Sequence, residues 1–167
     1  ALRTGECEKL VLTRPAVGVD DEQHGFLPGD LNAKMEPWTR PLFDVLKEYY
    51  STKEITRMLE EEILEISPLA FMRGRTFKKS WIIADEMQNA TPSQIKMLLT
   101  RLGEGSKIVV TGDVKQADRS DSNNGLLNFD TITDGRDMEF IRTCRFTNKD
   151  IERHPAVAEV LSLYGED

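Results

Sequence analysis

Short apolar runs bounded by turn residues recur along the chain and predict the strands of a sheet. Four of them are Lys9–Thr13, Ile63–Ile66, Ser80–Ala84 and Lys107–Thr111, and a fifth strand is expected at Met138–Ile141. Segments with a helical period separate most of these runs. Strands that alternate with helices indicate a mostly parallel sheet covered on both faces.

The helical segments carry their own start signals. Apolar residues recur at intervals of three and four over Leu42–Tyr49, which predicts one helical face. Two later helices begin with a capping box, Ser51 with Glu54 and Thr91 with Gln94. Within each box, the side chain of each residue accepts a hydrogen bond from the backbone N–H of the other. Each helix should therefore start at the residue after its Ser or Thr.

The last third of the chain predicts two further helices, around Leu126–Ile132 and over Thr147–Tyr164. The second should be interrupted at Pro155, with Val160 among its core-facing residues. No internal repeat, low-complexity tract or linker divides the sequence. We therefore expect one α/β domain over residues 1–167.

Composition narrows the class of protein. The chain has 167 residues, of which 39% are hydrophobic and 31% charged, with a net charge of −7. An acidic balance argues against a surface built to coat nucleic acid, although a local basic patch stays open. No apolar run approaches the ~20 residues that span a bilayer. The two cysteines lack metal or redox spacing and suit a reducing compartment, so we expect a cytoplasmic protein.

Acidic residues follow two neighbouring strands. Asp85 and Glu86 come directly after Ser80–Ala84, and Thr111-Gly112-Asp113 ends the next strand. In open α/β sheets ligands bind outside the carboxyl ends of strands. One carboxylate there can hold Mg²⁺ while its neighbour polarises a water molecule. The alternative is that strand ends meet solvent and attract carboxylates without any function.

The motifs around these acids resemble known ATPases. Asp85–Asn89 followed by Thr111–Gln116 resembles motifs II and III of the superfamily 1 helicase-like ATPases. The chain is more closely similar to the PhoH-like ATPases, which it matches in order at Leu12–Val17, Gly25–Leu31, Phe71–Thr76 and Arg153–Pro155. The resemblance runs from about Gly5 to Tyr164. It implies a RecA-like P-loop fold, ATP and Mg²⁺ as cofactors, a homo-oligomeric ring such as a hexamer, and a role on single-stranded RNA.

The resemblance also implies roles for individual residues. Asp85 would hold Mg²⁺, Glu86 would be the general base, and Gln116 would sense the γ-phosphate with support from Asp113. Arg153 would act as an arginine finger across a subunit interface. The remaining nucleotide-site candidates are Thr111, Gly112 and, as a second finger, Arg101.

Nucleic-acid contacts have two sets of candidates. Thr13 and Arg14 match a loop that contacts single strands in the related helicases. The others form a basic cluster in one loop, Arg73, Arg75, Lys78 and Lys79. Such a cluster could bind phosphates without sequence preference. A solvated loop or an intersubunit contact explains it equally well.

A phosphate-binding loop is the missing part. No Gly-x-x-x-x-Gly-Lys-Ser/Thr run occurs in the sequence, and the nearest segment, Gly74–Ser80, lacks the second glycine and leads into a strand. We therefore expect an N-terminally truncated ATPase domain without its first strand and P-loop, which by itself is inactive. Two alternatives stay open: a non-catalytic oligomerisation or RNA-binding module, and a receiver-like domain with Asp85 as phosphoacceptor, which leaves the Gly-Asp-x-x-Gln motif unexplained.

Overall fold

The computed structural model describes residues 1–15, 40–114, 123–147, 150 and 154–163. The chain divides into two compact units, Ala1–Ile132 and Thr133–Asp167. The first unit contains the sheet and every described residue of the candidate site. No helix in the described ranges is long and apolar enough to cross a bilayer.

The first unit is built on a sheet of four parallel strands. They are β1 (Lys9–Thr13), β2 (Leu64–Ile66), β3 (Ser80–Ala84) and β4 (Lys107–Val110), in the order β2-β1-β3-β4. Four of the five predicted strands are thus confirmed, two of them one residue shorter than expected. Because all four run the same way, their carboxyl ends meet at one edge of the sheet.

Helices and short 3-10 turns connect the strands. The helices are α1 (40–47), α2 (Thr52–Glu60), α3 (Pro92–Leu99), α4 (Gly125–Thr133) and α5 (Pro155–Leu163). The 3-10 turns are Leu69–Met72 and Met87–Asn89. The second turn lies between β3 and α3, directly after the acidic pair.

Both predicted capping boxes are present. Ser51 Oγ accepts the N–H of Glu54 at 3.3 Å, and Glu54 Oε2 accepts the N–H of Ser51 at 2.8 Å. Thr91 and Gln94 make the same pair of bonds at 3.3 and 2.8 Å. The box at Thr91 fixes the start of α3 and so limits the chain between β3 and α3 to a short connection.

The sheet packs against other elements on both faces. Val11 and Ile82 face α3 and the two 3-10 turns, in a buried cluster that includes Leu98. Leu12 faces the other way and packs with Ile55 and Met58 of α2. The core is therefore two apolar layers with the sheet between them.

Two predictions in the last third of the chain need correction, and a third is tested only in part. Residues 138–147 form neither helix nor strand, and Phe140 is 89% exposed. A strand forms only where a neighbouring strand pairs with its backbone. The apolar pattern of a segment does not show whether such a neighbour exists. Pro155 begins α5, where the missing N–H of proline costs nothing. The part of the expected helix before it lies largely outside the described residues. Val160 is 50% exposed instead of buried.

Glu65 on β2 is held by two cations. The guanidinium of Arg75 donates from Nη1 to Oε1 and from Nη2 to Oε2, the second bond at 2.8 Å, and Lys9 Nζ lies 2.6 Å from Oε2. The hydrogen bonds from Arg75 lower the pKa of Glu65 to about 2. The Arg75 guanidinium also lies over the ring of Phe77, 4.5 Å from its centroid. This network lies at β2, an outer strand of the described sheet.

Replacing Glu65 should change how stability depends on pH. Its folded-state pKa is below the ordinary value of 4.5, so its stabilisation is complete above pH 4.5 and is lost as the pH falls toward 2. We expect Glu65→Gln to lower the free energy of unfolding at pH 7 by about 1 kcal/mol, and the difference from the unmodified protein to shrink through that window. Urea unfolding at several pH values measures this. The exposed Glu60→Gln is the control, and a pH-independent difference would contradict the assignment.

Candidate functional site

Three loops at the carboxyl edge of the sheet are tied together by backbone hydrogen bonds. The N–H of Asp85 donates to the carbonyl of Thr13 at 3.0 Å, and that of Thr111 donates to Ala84 at 2.9 Å. The N–H of Met87 then donates to the carbonyl of Thr111 at 3.0 Å. The residues that follow β1, β3 and β4 are therefore held side by side, as the sequence predicted for Asp85, Glu86 and Thr111.

Asp85 is oriented by the neighbouring strand. The hydroxyl of Thr111 donates to Oδ1 of Asp85 at 2.7 Å. A charge-assisted hydrogen bond of this length holds the carboxylate in one rotamer. Asp85 is half-buried at the edge of the sheet.

Glu86 has a left-handed backbone and contacts through both carboxylate oxygens. Its φ of 55° and ψ of 35° are uncommon for a residue with a side chain. Oε1 lies 3.2 Å from Nη2 of Arg14, and Oε2 accepts a hydrogen bond from Nε2 of Gln88 at 2.6 Å. The side chain is still 36% exposed. Glu86 is thus oriented from two sides while solvent can reach it.

Gln88 is a site residue to which the sequence pattern assigned no role. It is only 2% exposed, and its Oε1 accepts the N–H of Asp113 at 3.2 Å. Its amide therefore connects Glu86 to the loop after β4. The one sequence signal for a role of Gln88 is its position in a turn between two apolar elements. That position alone does not show that the side chain is buried.

Gly112 lies directly against this glutamine. A Cβ at Gly112 would come within 2.5 Å of Oε1 of Gln88 and 2.8 Å of Cδ2 of Leu126. Contacts of this kind are too short for any side chain. The glycine that the sequence assigned to the nucleotide site is therefore required by packing against Gln88.

The oxygen atoms at this edge suit a metal ion that is bound partly by the protein and partly by a ligand. In the described part of the chain no group of three His, Cys, Asp or Glu side chains could enclose a metal. Mg²⁺ usually keeps several waters and binds through one or two carboxylates plus substrate phosphates. Asp85 with the Thr111 hydroxyl fits that pattern.

The other predicted catalytic and finger residues are only partly within the described residues. Gln116 and Arg153 lie outside the described residues, so their roles stay predictions. Arg101 follows α3, and its carbonyl accepts the N–H of Phe77 at 2.9 Å. Phe77 precedes β3, whose five residues span about 16 Å. Arg101 therefore lies toward the amino edge, far from Asp85 of the same chain.

The nucleic-acid candidates separate into two groups. Thr13 and Arg14 lie at the carboxyl edge, although Thr13 is buried. Lys78 and Lys79 directly precede β3 and so lie at the opposite edge, where Lys79 Nζ pairs with Glu8 at 2.7 Å. This ion pair raises the pKa of Lys79. The predicted cluster is thus not one continuous surface with Arg14.

Two members of the predicted basic cluster differ in their contacts. Arg75 is bound to Glu65 and Phe77, whereas Arg73 is exposed. An arginine that holds a carboxylate at both nitrogens would have to give up that pair to bind a phosphate. Of the four, Arg73 and Lys78 are the side chains best placed to meet an external anion.

The fold and the site together define an α/β protein with a parallel sheet and an acidic pair at its carboxyl edge. That architecture is consistent with a P-loop NTPase domain. The family described as PhoH-like protein matches residues 1–165. The chain therefore belongs to the PhoH-like family, which confirms the resemblance of its motifs.

Several curated relatives support the same assignment. PhoH-like proteins of Synechocystis and Bacillus subtilis are 46% and 45% identical to the chain over 165 residues. Protein PhoH of Escherichia coli K12 is 37% identical over 166 residues. Each alignment covers 98% of this chain but only 49%, 51% and 46% of the respective relative. The chain thus spans about half the length of the curated relatives it matches.

A methyl group at Gly112 should disturb the contact with Gln88. We expect Gly112→Ala to lower the free energy of unfolding by about 1–3 kcal/mol, the usual cost of overpacking. The cost should be smaller in a Gln88→Ala background, where Oε1 is gone, so that the two changes are not additive. Denaturant unfolding of the four proteins measures this. Equal costs in both backgrounds would contradict the contact.

Proposed function

We propose that the protein hydrolyses ATP with Mg²⁺ at the carboxyl edge of its sheet. The observation that carries this proposal is the pair Asp85 and Glu86, adjacent in sequence but held by different partners. Thr111 orients the first, whereas Arg14 and Gln88 orient the second. Two carboxylates with separate supports can take separate roles.

Asp85 is the metal ligand in this proposal. Its Oδ1 accepts a hydrogen bond from the Thr111 hydroxyl at 2.7 Å, so the residue after β4 orients the carboxylate. When bound, Mg²⁺ would neutralise charge on the β- and γ-phosphates. Thr111, Gly112 and Asp113 then form the wall of the nucleotide site on the β4 side.

Glu86 is the general base. Its carboxylate is 36% exposed, so a water molecule can reach it, and it is fixed through both oxygens. A base that is already oriented accepts a proton without first losing side-chain freedom. Gln116 as γ-phosphate sensor and Arg153 as a finger from a neighbouring subunit complete the proposal.

In this proposal the phosphate cradle comes from residues other than these 167. The 167 residues contain no Gly-x-x-x-x-Gly-Lys-Ser/Thr run. The backbone N–H groups of such a loop bind the phosphates of the nucleotide. The carboxyl edge therefore provides the metal and water side of the site. ATPase measurements should accordingly use the full gene product, since the curated relatives are about twice as long as this chain.

Action on single-stranded RNA and assembly into a ring are further parts of the proposal. Arg14 supports the first, because it lies at the same edge as Glu86 and is 30% exposed. The exposed Arg73 and Lys78 add candidate phosphate contacts. A non-catalytic RNA-binding module is less well supported, since Arg75 and Lys79 are already held by Glu65 and Glu8.

Removing the base should separate binding from hydrolysis. In the full gene product we expect Glu86→Gln to bind ATP as before and to hydrolyse it about 10²–10⁴ times more slowly, the usual cost of losing a general base. Calorimetry and phosphate release measure the two steps. Glu104→Gln, an exposed change at the other edge, is the control. Near-normal turnover by Glu86→Gln would place the base elsewhere.

The 167-residue chain by itself should bind ATP poorly. Without a phosphate cradle, one carboxylate and a hydroxyl give Mg²⁺·ATP little to hold, so we expect a dissociation constant above about 1 mM. Titration calorimetry with Mg²⁺·ATP measures this. Micromolar binding would mean that another loop of these residues holds the phosphates.

A further inference from the structure

We propose that Gln88 is a positioning residue that sets the orientation of the Glu86 carboxylate and couples it to the loop after β4. This inference rests on the proposed function, in which Glu86 is the general base. It assigns a role to a buried amide that the sequence motif left without one. Gln88 itself need not touch ATP or the attacking water.

The amide of Gln88 uses its two ends for two different partners. Nε2 donates to Oε2 of Glu86 at 2.6 Å, and Oε1 accepts the N–H of Asp113 at 3.2 Å. A side-chain amide offers a donor and an acceptor side by side, so it can serve both partners at once. Because Gln88 is 2% exposed, its two ends are largely shielded from solvent.

The bond to Glu86 determines which way its carboxylate faces. Arg14 holds Oε1 at 3.2 Å, and Gln88 holds Oε2 at 2.6 Å. With one contact the carboxylate can turn about its terminal torsion, which is broad in glutamate. With two contacts it is fixed. A misplacement of about 1 Å at a reacting group can cost about 10²-fold in rate.

Gly112 supplies an independent observation. A Cβ there would meet both Oε1 and the backbone N of Gln88, at 2.5 and 3.0 Å. The loop after β4 is therefore in direct contact with the same amide that holds Glu86. This side chain therefore links Thr111–Asp113 to the Glu86 carboxylate, beside the bonds that Thr111 makes with Asp85 and Met87.

The competing explanation is that Gln88 only fills buried space between β3 and α3. In that case its replacement lowers stability, and activity falls only as far as folding does. A positioning role makes a different demand: kcat falls while the KM for ATP hardly changes, because the phosphate contacts are intact.

The test compares three variants of the full gene product. Gln88→Met keeps the length of the side chain but removes both hydrogen bonds. Gln88→Glu keeps the shape but loses the donor when ionised. Gln94→Met is the matched control, since the hydrogen bond of Gln94 goes to Thr91 at the start of α3. We expect Gln88→Met to lower kcat about 10–100-fold with KM within about threefold, and Gln94→Met to change only the unfolding temperature.

The pH profile of Gln88→Glu gives a second readout. A buried carboxyl next to Glu86 favours its protonated form, because two like charges repel in a poorly solvated place. The protonated group can donate to Oε2 as the amide does. We therefore expect the kcat of Gln88→Glu, relative to the unmodified protein, to rise by about tenfold or more as the pH is lowered from 8 to 6.

The outcomes separate this inference from the proposed function. If Glu86→Gln stops turnover but Gln88→Met keeps kcat within threefold, the positioning role is wrong and the ATPase proposal stands. If the unmodified full gene product does not hydrolyse ATP, the proposed function is wrong; if it does and Glu86→Gln turns over normally, the base lies elsewhere and the positioning role of Gln88 is wrong. Should Gln88→Met fail to fold, the profile of Gln88→Glu decides, and a ratio that does not change with pH overturns the inference.

Discussion

The parallel register of β1, β3 and β4 is the constraint on which the site depends. Leu12, Ile83 and Val109 lie side by side in these strands, so the three strands end at the same level. The backbone bonds from Asp85 to Thr13 and from Thr111 to Ala84 continue the ladder by one residue beyond the strands. A slip of one residue would turn every core side chain to the other face of the sheet, so the two buried layers hold this register in place.

The short connection between β3 and α3 gives the site its rigidity. Glu86 takes a left-handed conformation, the turn Met87–Asn89 follows, and the capping box at Thr91 starts the helix. A strained residue of this kind persists only where its surroundings fix it, here through Arg14 and Gln88. The left-handed backbone of Glu86 and its two side-chain contacts thus act together to place its carboxylate at the edge of the sheet.

Electrostatics within this acidic chain are organised by edge. Among the described residues, the carboxyl edge carries Asp85 and Glu86 with Arg14 beside Glu86, whereas Lys78 and Lys79 lie at the amino edge. Glu65 and Arg75 form a separate ion pair. Lys78 and Lys79 are therefore kept away from the acidic pair.

The sequence by itself determined the strands β1 to β4, both capping boxes, the family, and the grouping of Asp85, Glu86 and Thr111, because local periodicity and chain order carry that information. It did not reveal the burial of Gln88, the contact between Gly112 and Gln88, or the pairing of Arg75 with Glu65. It also predicted a strand at Met138–Ile141 that does not form. Each of these depends on which segments become neighbours across the sheet, and a hydrogen bond or a close packing contact between residues far apart in the chain exists only once the tertiary structure has brought them together.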